Sequence, residues 1–153
     1  MALSPNAAYV ASSPTLRELR VDLPSWPTGL EIGQSVAKLE FFDGSGIRRL
    51  PPMRNPQSLI ELTVSDRQQS FDLASLIDST ELRVIVLGHC SRVVNCEALL
   101  DLPRLERVFI GQCREMKGWP GLRGLRVPSF GLPGQTFASE AEVEDLTRAI
   151  ESA

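Results

Sequence analysis

Apolar residues recur along this chain in a short pattern, at relative positions 1, 4 and 6. The copies are Leu16, Leu19, Val21; Val36, Leu39, Phe41; Leu59, Leu62, Val64; Leu82, Ile85, Leu87; Leu105, Val108, Ile110; and Leu122, Leu125, Val127. They begin at residues 16, 36, 59, 82, 105 and 122, so successive steps are 20, 23, 23, 23 and 17 residues. Positions 4 and 6 lie two apart, the period of a strand with one buried face. Three equal steps in a row predict an internal repeat rather than an ordinary α/β domain with aliphatic strands. Each copy predicts one short strand, about six in all. One repeat cannot bury its apolar face alone, so the strands are expected to stack into a parallel sheet over a continuous core.

Such a column needs covers at its ends. At the C-terminal end, Ser139 with Glu142 makes a capping-box pattern, and Val143, Leu146 and Ile150 fall on one helical face. Glu140, Glu142, Glu144 and Asp145 crowd the first turns, where the helix dipole favours negative charge. The spacing predicts a capping helix from about Ser139 to Glu151. The Pro/Gly-rich stretch PSFGLPGQ, residues 128–135, reads as a linker into it. At the other end, Tyr9 and Val10 are candidates to cover the first strand. The organisation expected is 1–15 as an N-terminal cap or disordered lead, 16–128 as the repeat array, and 129–153 as linker and capping helix.

The stretch LRVIVLGHCSRVVNCEALLDLPRL, residues 82–105, carries a whole repeat. Cys90 stands at position 9. Val93, Cys96, Leu99 and Leu102 follow at intervals of three, and Pro103 leads into the next copy. This resembles the leucine-rich-repeat family in its irregular, cysteine-containing form, which has Asn or Cys at position 9 and Leu-Pro before the next strand. IRRLP, Ile47 to Pro51, resembles that family's turn back from the convex side. The resemblance covers residues 16–128. It implies an α/β solenoid with a parallel sheet of about six short strands on its concave face. The copies depart from the pattern at position 9, which reads Pro24, Gly44, Arg67, Cys90, Cys113 and Phe130. Arg67 cannot fill a buried bonding role, so a bulge is expected in the third turn. After Leu105 the step is short, with Trp119 and Pro120 expected to replace a convex helix.

In that architecture positions 3, 5 and 7 point outward from the sheet. Position 3 reads Glu18, Lys38, Glu61, Val84, Arg107, Gly124; position 5 reads Arg20, Glu40, Thr63, Val86, Phe109, Arg126; position 7 reads Asp22, Phe42, Ser65, Gly88, Gly111, Pro128. The first strands therefore present mixed charge. The fourth and fifth present Val84, Val86 and Phe109 with Arg107 adjacent, and Gly88 and Gly111 leave space at the rim. An apolar centre with a polar surround is the anatomy of a protein interface, and aromatic and Arg side chains are its usual hot spots. The expected anchors are Phe109 and Arg107, with Val84, Val86, Glu40, Phe42, Thr63, Glu61 and Arg126 around them. The plainer reading is that Val84 and Val86 are simply good strand formers.

Composition narrows the picture. The chain has 153 residues, 42% of them hydrophobic, and a formal charge of -3, which fits one folded domain. It carries no basic block, which argues against nucleic acid as a partner. Three cysteines, an odd count, do not read as a disulfide scaffold, and no signal peptide or membrane-length apolar run is seen. A cytoplasmic, reducing setting is the simpler expectation.

Candidate chemistry changes little. His89 beside Cys90 invites a Cys–His dyad, but neighbours on an extended segment point opposite ways. Cys90 and Cys113 should stack one strand spacing apart, close enough for a disulfide if oxidised, which a reducing compartment disfavours. A zinc site from His89, Cys90, Cys96 and Cys113 matches no common ligand spacing. FDGSG, Phe42 to Gly46, is too short for a phosphate loop and reads as a turn. Arg48, Arg49 and Arg54 make a small basic cluster that reads as solvated surface.

The expectation is a non-catalytic module, with no cofactor or metal, that binds a protein partner through its concave sheet. A small inhibitor such as a bacterial toxin-immunity protein is the specific version. The alternative is a structural or self-associating fragment of a larger receptor-like protein of the same repeat family, including a homo-oligomer.

Overall fold

A computed structural model describes residues 10–23, 25–42, 46–65 and 70–153. In chain order the elements are strands β1 (Glu18–Val21) and β2 (Lys38–Phe41), 3-10 helix η1 (Pro56–Ser58), β3 (Glu61–Ser65), β4 (Ser70–Asp72), η2 (Leu73–Leu76), β5 (Val84–Gly88), β6 (Arg92–Val94), η3 (Cys96–Asp101), β7 (Arg107–Gly111), β8 (Glu115–Met116), η4 (Trp119–Gly124), β9 (Ser129–Gly131) and helix α1 (Glu140–Glu151). Six strands form one all-parallel sheet, β1-β2-β3-β5-β7-β9, and three form a second parallel sheet, β4-β6-β8. The three rungs from β3 to η4 repeat one path: a strand of the first sheet, a strand of the second, then a 3-10 helix leading back.

The period-two pattern explains the first sheet. Leu19, Leu39, Leu62, Ile85, Val108 and Phe130 are successive register partners, and all six are buried. Val21, Phe41, Val64, Leu87 and Ile110 make a second buried column beside them. Burying an aliphatic side chain of this size stabilises the fold by roughly 1.5–3 kcal/mol. The second sheet, which the apolar pattern did not predict, adds Phe71, Val93 and Met116 to the core.

The sixth strand sits elsewhere than expected. Leu122 lies inside η4 and Leu125 follows it, the places that Leu99 and Leu102 hold one rung earlier. Trp119 and Pro120 therefore begin a 3-10 helix rather than replace one. The strand is β9, in register with β7 as Arg107↔Ser129, Val108↔Phe130 and Phe109↔Gly131. Val127 opens this copy, 22 residues after Leu105, so the repeat keeps its length. Phe130, read as position 9, occupies buried position 4, and the sheet runs on into the stretch read as linker.

Helix α1 follows its sequence signals. Ser139 Oγ accepts from the Glu142 N–H, and Glu142 Oε2 accepts from the Ser139 N–H at 2.8 Å. The Ser139 N–H foremost, then the Ser139 hydroxyl donating to Oε2 at 2.7 Å, hold the Glu142 carboxyl below its usual range. Leu146 and Ile150 are buried, and α1 packs on η4 and β9. Hydrogen bonding from Arg123, then its charge, lowers the Asp145 carboxyl likewise. At the first rung, Tyr9 lies outside the described residues. Val10 is exposed and Ala11 is the buried residue there. Pro24, Gly44 and Arg67, with the bulge expected at Arg67, also lie outside the described residues.

Candidate functional site

The strand register decides which predicted residues meet. Glu61, Val84 and Arg107 form one row across β3, β5 and β7, and Thr63, Val86 and Phe109 form the next. All six alternate with buried residues, so their side chains leave the core. Val84 and Val86 are half-buried, while Phe109 is 44% exposed. An aromatic ring left this open on an aliphatic strand pair is the main apolar feature of the face.

Charge is unevenly spread over the same face. Glu40 is held between Arg20 at 2.8 Å and Lys38 at 3.3 Å, with its side chain only 13% exposed. Lys38 also reaches Glu61 at 3.9 Å. The carboxylates of the first three strands thus largely satisfy their own neighbours. Arg107 has no ion-pair partner among the described residues and is exposed. Phe42 is exposed just beyond β2, two rungs from Val86. Arg126 is off the sheet face. It precedes β9, and its guanidinium donates to the carbonyls of Leu125 and Arg123 at 2.9 and 3.2 Å. Gly124 and Pro128, expected on the face with it, also lie outside the strand.

Beside Phe109 an open groove of about 300 Å³ runs along the C-terminal ends of β5, β7 and β9, lined by Gly88, His89, Phe109, Gly111, Gln112, Pro133 and Gly134. Its rim is built from a repeated backbone device. His89, Gln112 and Gly134 follow the strands with φ of 59, 54 and 63°. The His89 N–H donates to the Gly111 carbonyl at 2.9 Å, and the Gln112 N–H to the Pro133 carbonyl at 2.8 Å. The left-handed turn therefore redirects the chain while the ladder continues one more step, at a conformational cost for His89 and Gln112 of about 1–2 kcal/mol each. Gln112, Pro133 and Gly134 were not among the expected site residues. Their signal was the spacing of 89, 112 and 134, which mirrors the repeat.

The same turns carry Cys90 and Cys113 inward. Both are 1% exposed, so Cys90 is a core thiol while His89 lines the surface groove. A hydrogen bond from the Cys90 side chain lowers the Cys113 thiol against the effect of burial. Cys96, at the start of η3, goes the other way: burial, then the charge of Glu97, pushes it up to about 12. Among the described residues no group of three or more His, Cys, Asp or Glu is placed to hold a metal, and no helix is long and apolar enough to cross a membrane. Arg48 and Arg49 border a second groove, with Trp26, Ile47 and Leu50.

Compared with known proteins, the chain matches no family model, no curated protein and no solved structure.

Proposed function

We propose that this chain is a non-catalytic interaction module that binds a protein partner through the open face of its six-stranded sheet. The observation that carries the reading is the block on β5 and β7: Val84 and Val86 beside a half-exposed Phe109, with an exposed Arg107 that has no ion-pair partner among the described residues and a glycine-lined groove at the strand ends. Apolar centre, aromatic anchor and flanking guanidinium are the elements from which protein interfaces draw most of their energy. Glu61 and Thr63 extend the block toward the charged strands, where Glu40 acts in the internal ion-pair ladder.

The family reading belongs to the same proposal. A repeat of 20 to 23 residues, one short parallel strand per rung, and the buried Cys90 and Cys113 at position 9 support a leucine-rich-repeat solenoid of the cysteine-containing type. Such stacked repeats present their strands as an extended recognition surface. The test is affinity capture from the native cell with wild type and Phe109→Ala/Arg107→Ala side by side. The reading expects a protein retained by wild type and lost from the folded double variant. A protein retained equally by both places docking elsewhere.

A further inference from the structure

Two buried thiols, Cys90 and Cys113, directly follow the groove-lining residues His89 and Gln112, and the proposed docking role involves neither. Cys90 and Cys113 each stand two residues past a strand end, and those ends, Gly88 and Gly111, are register partners. The ladder then continues through the His89 N–H to the Gly111 carbonyl at 2.9 Å. The two cysteines therefore hold equivalent places on adjoining rungs, about 4.8 Å apart as neighbouring strands are. Their sulfurs turn the same way, 3.9 Å from the Gly88 carbonyl and 3.6 Å from the Gly111 carbonyl. The Cys90 side chain stands close enough to lower the Cys113 thiol. Bridged cysteines have Cα atoms about 4.4–6.8 Å apart, so closure asks for side-chain rotation and no strand displacement.

We propose that Cys90 and Cys113 are a disulfide-forming pair built into the fold, which takes a two-electron thiol oxidant of the peroxide class. The Cys113 sulfur attacks one peroxide oxygen, the O–O bond breaks, and Cys113 becomes a sulfenic acid as one water leaves. The Cys90 sulfur then attacks the Cys113 sulfur. The S–O bond breaks, the S–S bond forms, and a second water departs. One hydrogen peroxide is reduced to two waters while the two thiols lose their hydrogens. The third thiol is excluded by its setting. Burial and Glu97 keep Cys96 protonated, whereas the hydrogen bond from Cys90 favours the reactive form of Cys113. In a reducing compartment the pair rests as thiols and closes only when peroxide rises. The bridge would tie the turns of His89 and Gln112, the groove's rim, without depending on what the groove binds.

The test uses the full chain, reduced, freed of reductant and exposed to hydrogen peroxide in native buffer, then alkylated in denaturant and peptide-mapped. The expected product has lost the mass of two hydrogens, joins the Cys90 and Cys113 peptides, and leaves Cys96 alkylated. Its unfolding midpoint rises by about 5 °C and falls back on reduction. Cys96→Ser keeps the cross-link and Cys113→Ser abolishes it. Cys96 in the main cross-link, or sulfinic acid on Cys113 without a bridge, overturns the proposal. So does a folded chain left unreacted by peroxide that cross-links the denatured one.

Discussion

The ring of Phe109 lies over Gly131, its register partner on the outermost strand: a Cβ at residue 131 would stand 3.2 Å from Phe109 Cδ2. The exposed aromatic of the candidate face is thus shelved on a residue with no side chain. Gly131→Ala pushes the ring by a few tenths of an ångström, and Gly131→Val displaces it. The alanine variant should change stability by less than about 1 kcal/mol while shifting the Phe109 ring resonances. Aromatic NMR with thermal melting checks both. Unmoved ring signals in the valine variant would show that the ring rests elsewhere.

The outer edge of β9 is covered by the C-terminal helix. Glu151 Oε1 accepts from the Phe130 N–H at 3.0 Å, covering a donor on the sheet's last strand. Glu151→Ala leaves that N–H without this acceptor and should cost about 1 kcal/mol. Chemical denaturation measures the loss. Amide exchange at Phe130 should rise more than at Ile85 in the middle of the sheet.

Acid should loosen α1 before the sheet. Glu142 and Asp145 are both held below their ordinary carboxylate values in the folded chain, Glu142 by the capping box and Asp145 by Arg123. A depressed folded value means stability that is present above the unfolded value and lost as pH falls through the folded one. Exchange protection across α1 should therefore drop as pH goes below about 4, where unperturbed carboxylates titrate. Glu142→Gln should flatten part of that dependence. An unchanged pH profile in that variant would dismiss the capping box as its source.

Ser79 is fully buried, and its hydroxyl has no hydrogen-bond partner among the described residues. One and two rungs later the same place is held by Leu102 and Leu125, both buried. Ser79→Ala removes an unsatisfied polar group at little loss of volume and should raise stability by about 1 kcal/mol. A lowered melting temperature would mean that the hydroxyl is satisfied by water.

Much of this fold was legible because a strand with one buried face writes its period directly into the sequence. The third to fifth copies repeat every 23 residues, and β3, β5 and β7 lie where that spacing put them. The capping helix was legible from Ser139, Glu142 and its apolar face. The sixth strand was misplaced because Leu122 and Leu125 mimic positions 1 and 4. The 3-10 helices also bury leucines at intervals of three, as Leu99 and Leu102 do. Arg126 was misassigned to the face with them. The second sheet went unseen because β8 has only two residues and β4 and β6 three, too short to show alternation. On the face, the row of Val86 and Phe109 could be read from parity alone. The groove rim could not, since left-handed turns at His89 and Gln112 are a backbone choice that neither residue type announces.

Docking of a protein partner on the β5–β7 face is the proposal on which the other functional statements depend. Titration calorimetry of the captured partner against wild type and Phe109→Ala/Arg107→Ala, with matching melting curves, tests it most directly. Docking there gives at least about a tenfold weaker Kd for the double variant at unchanged fold, the loss expected from removing an aromatic and an arginine anchor. Equal affinity in both proteins would contradict it.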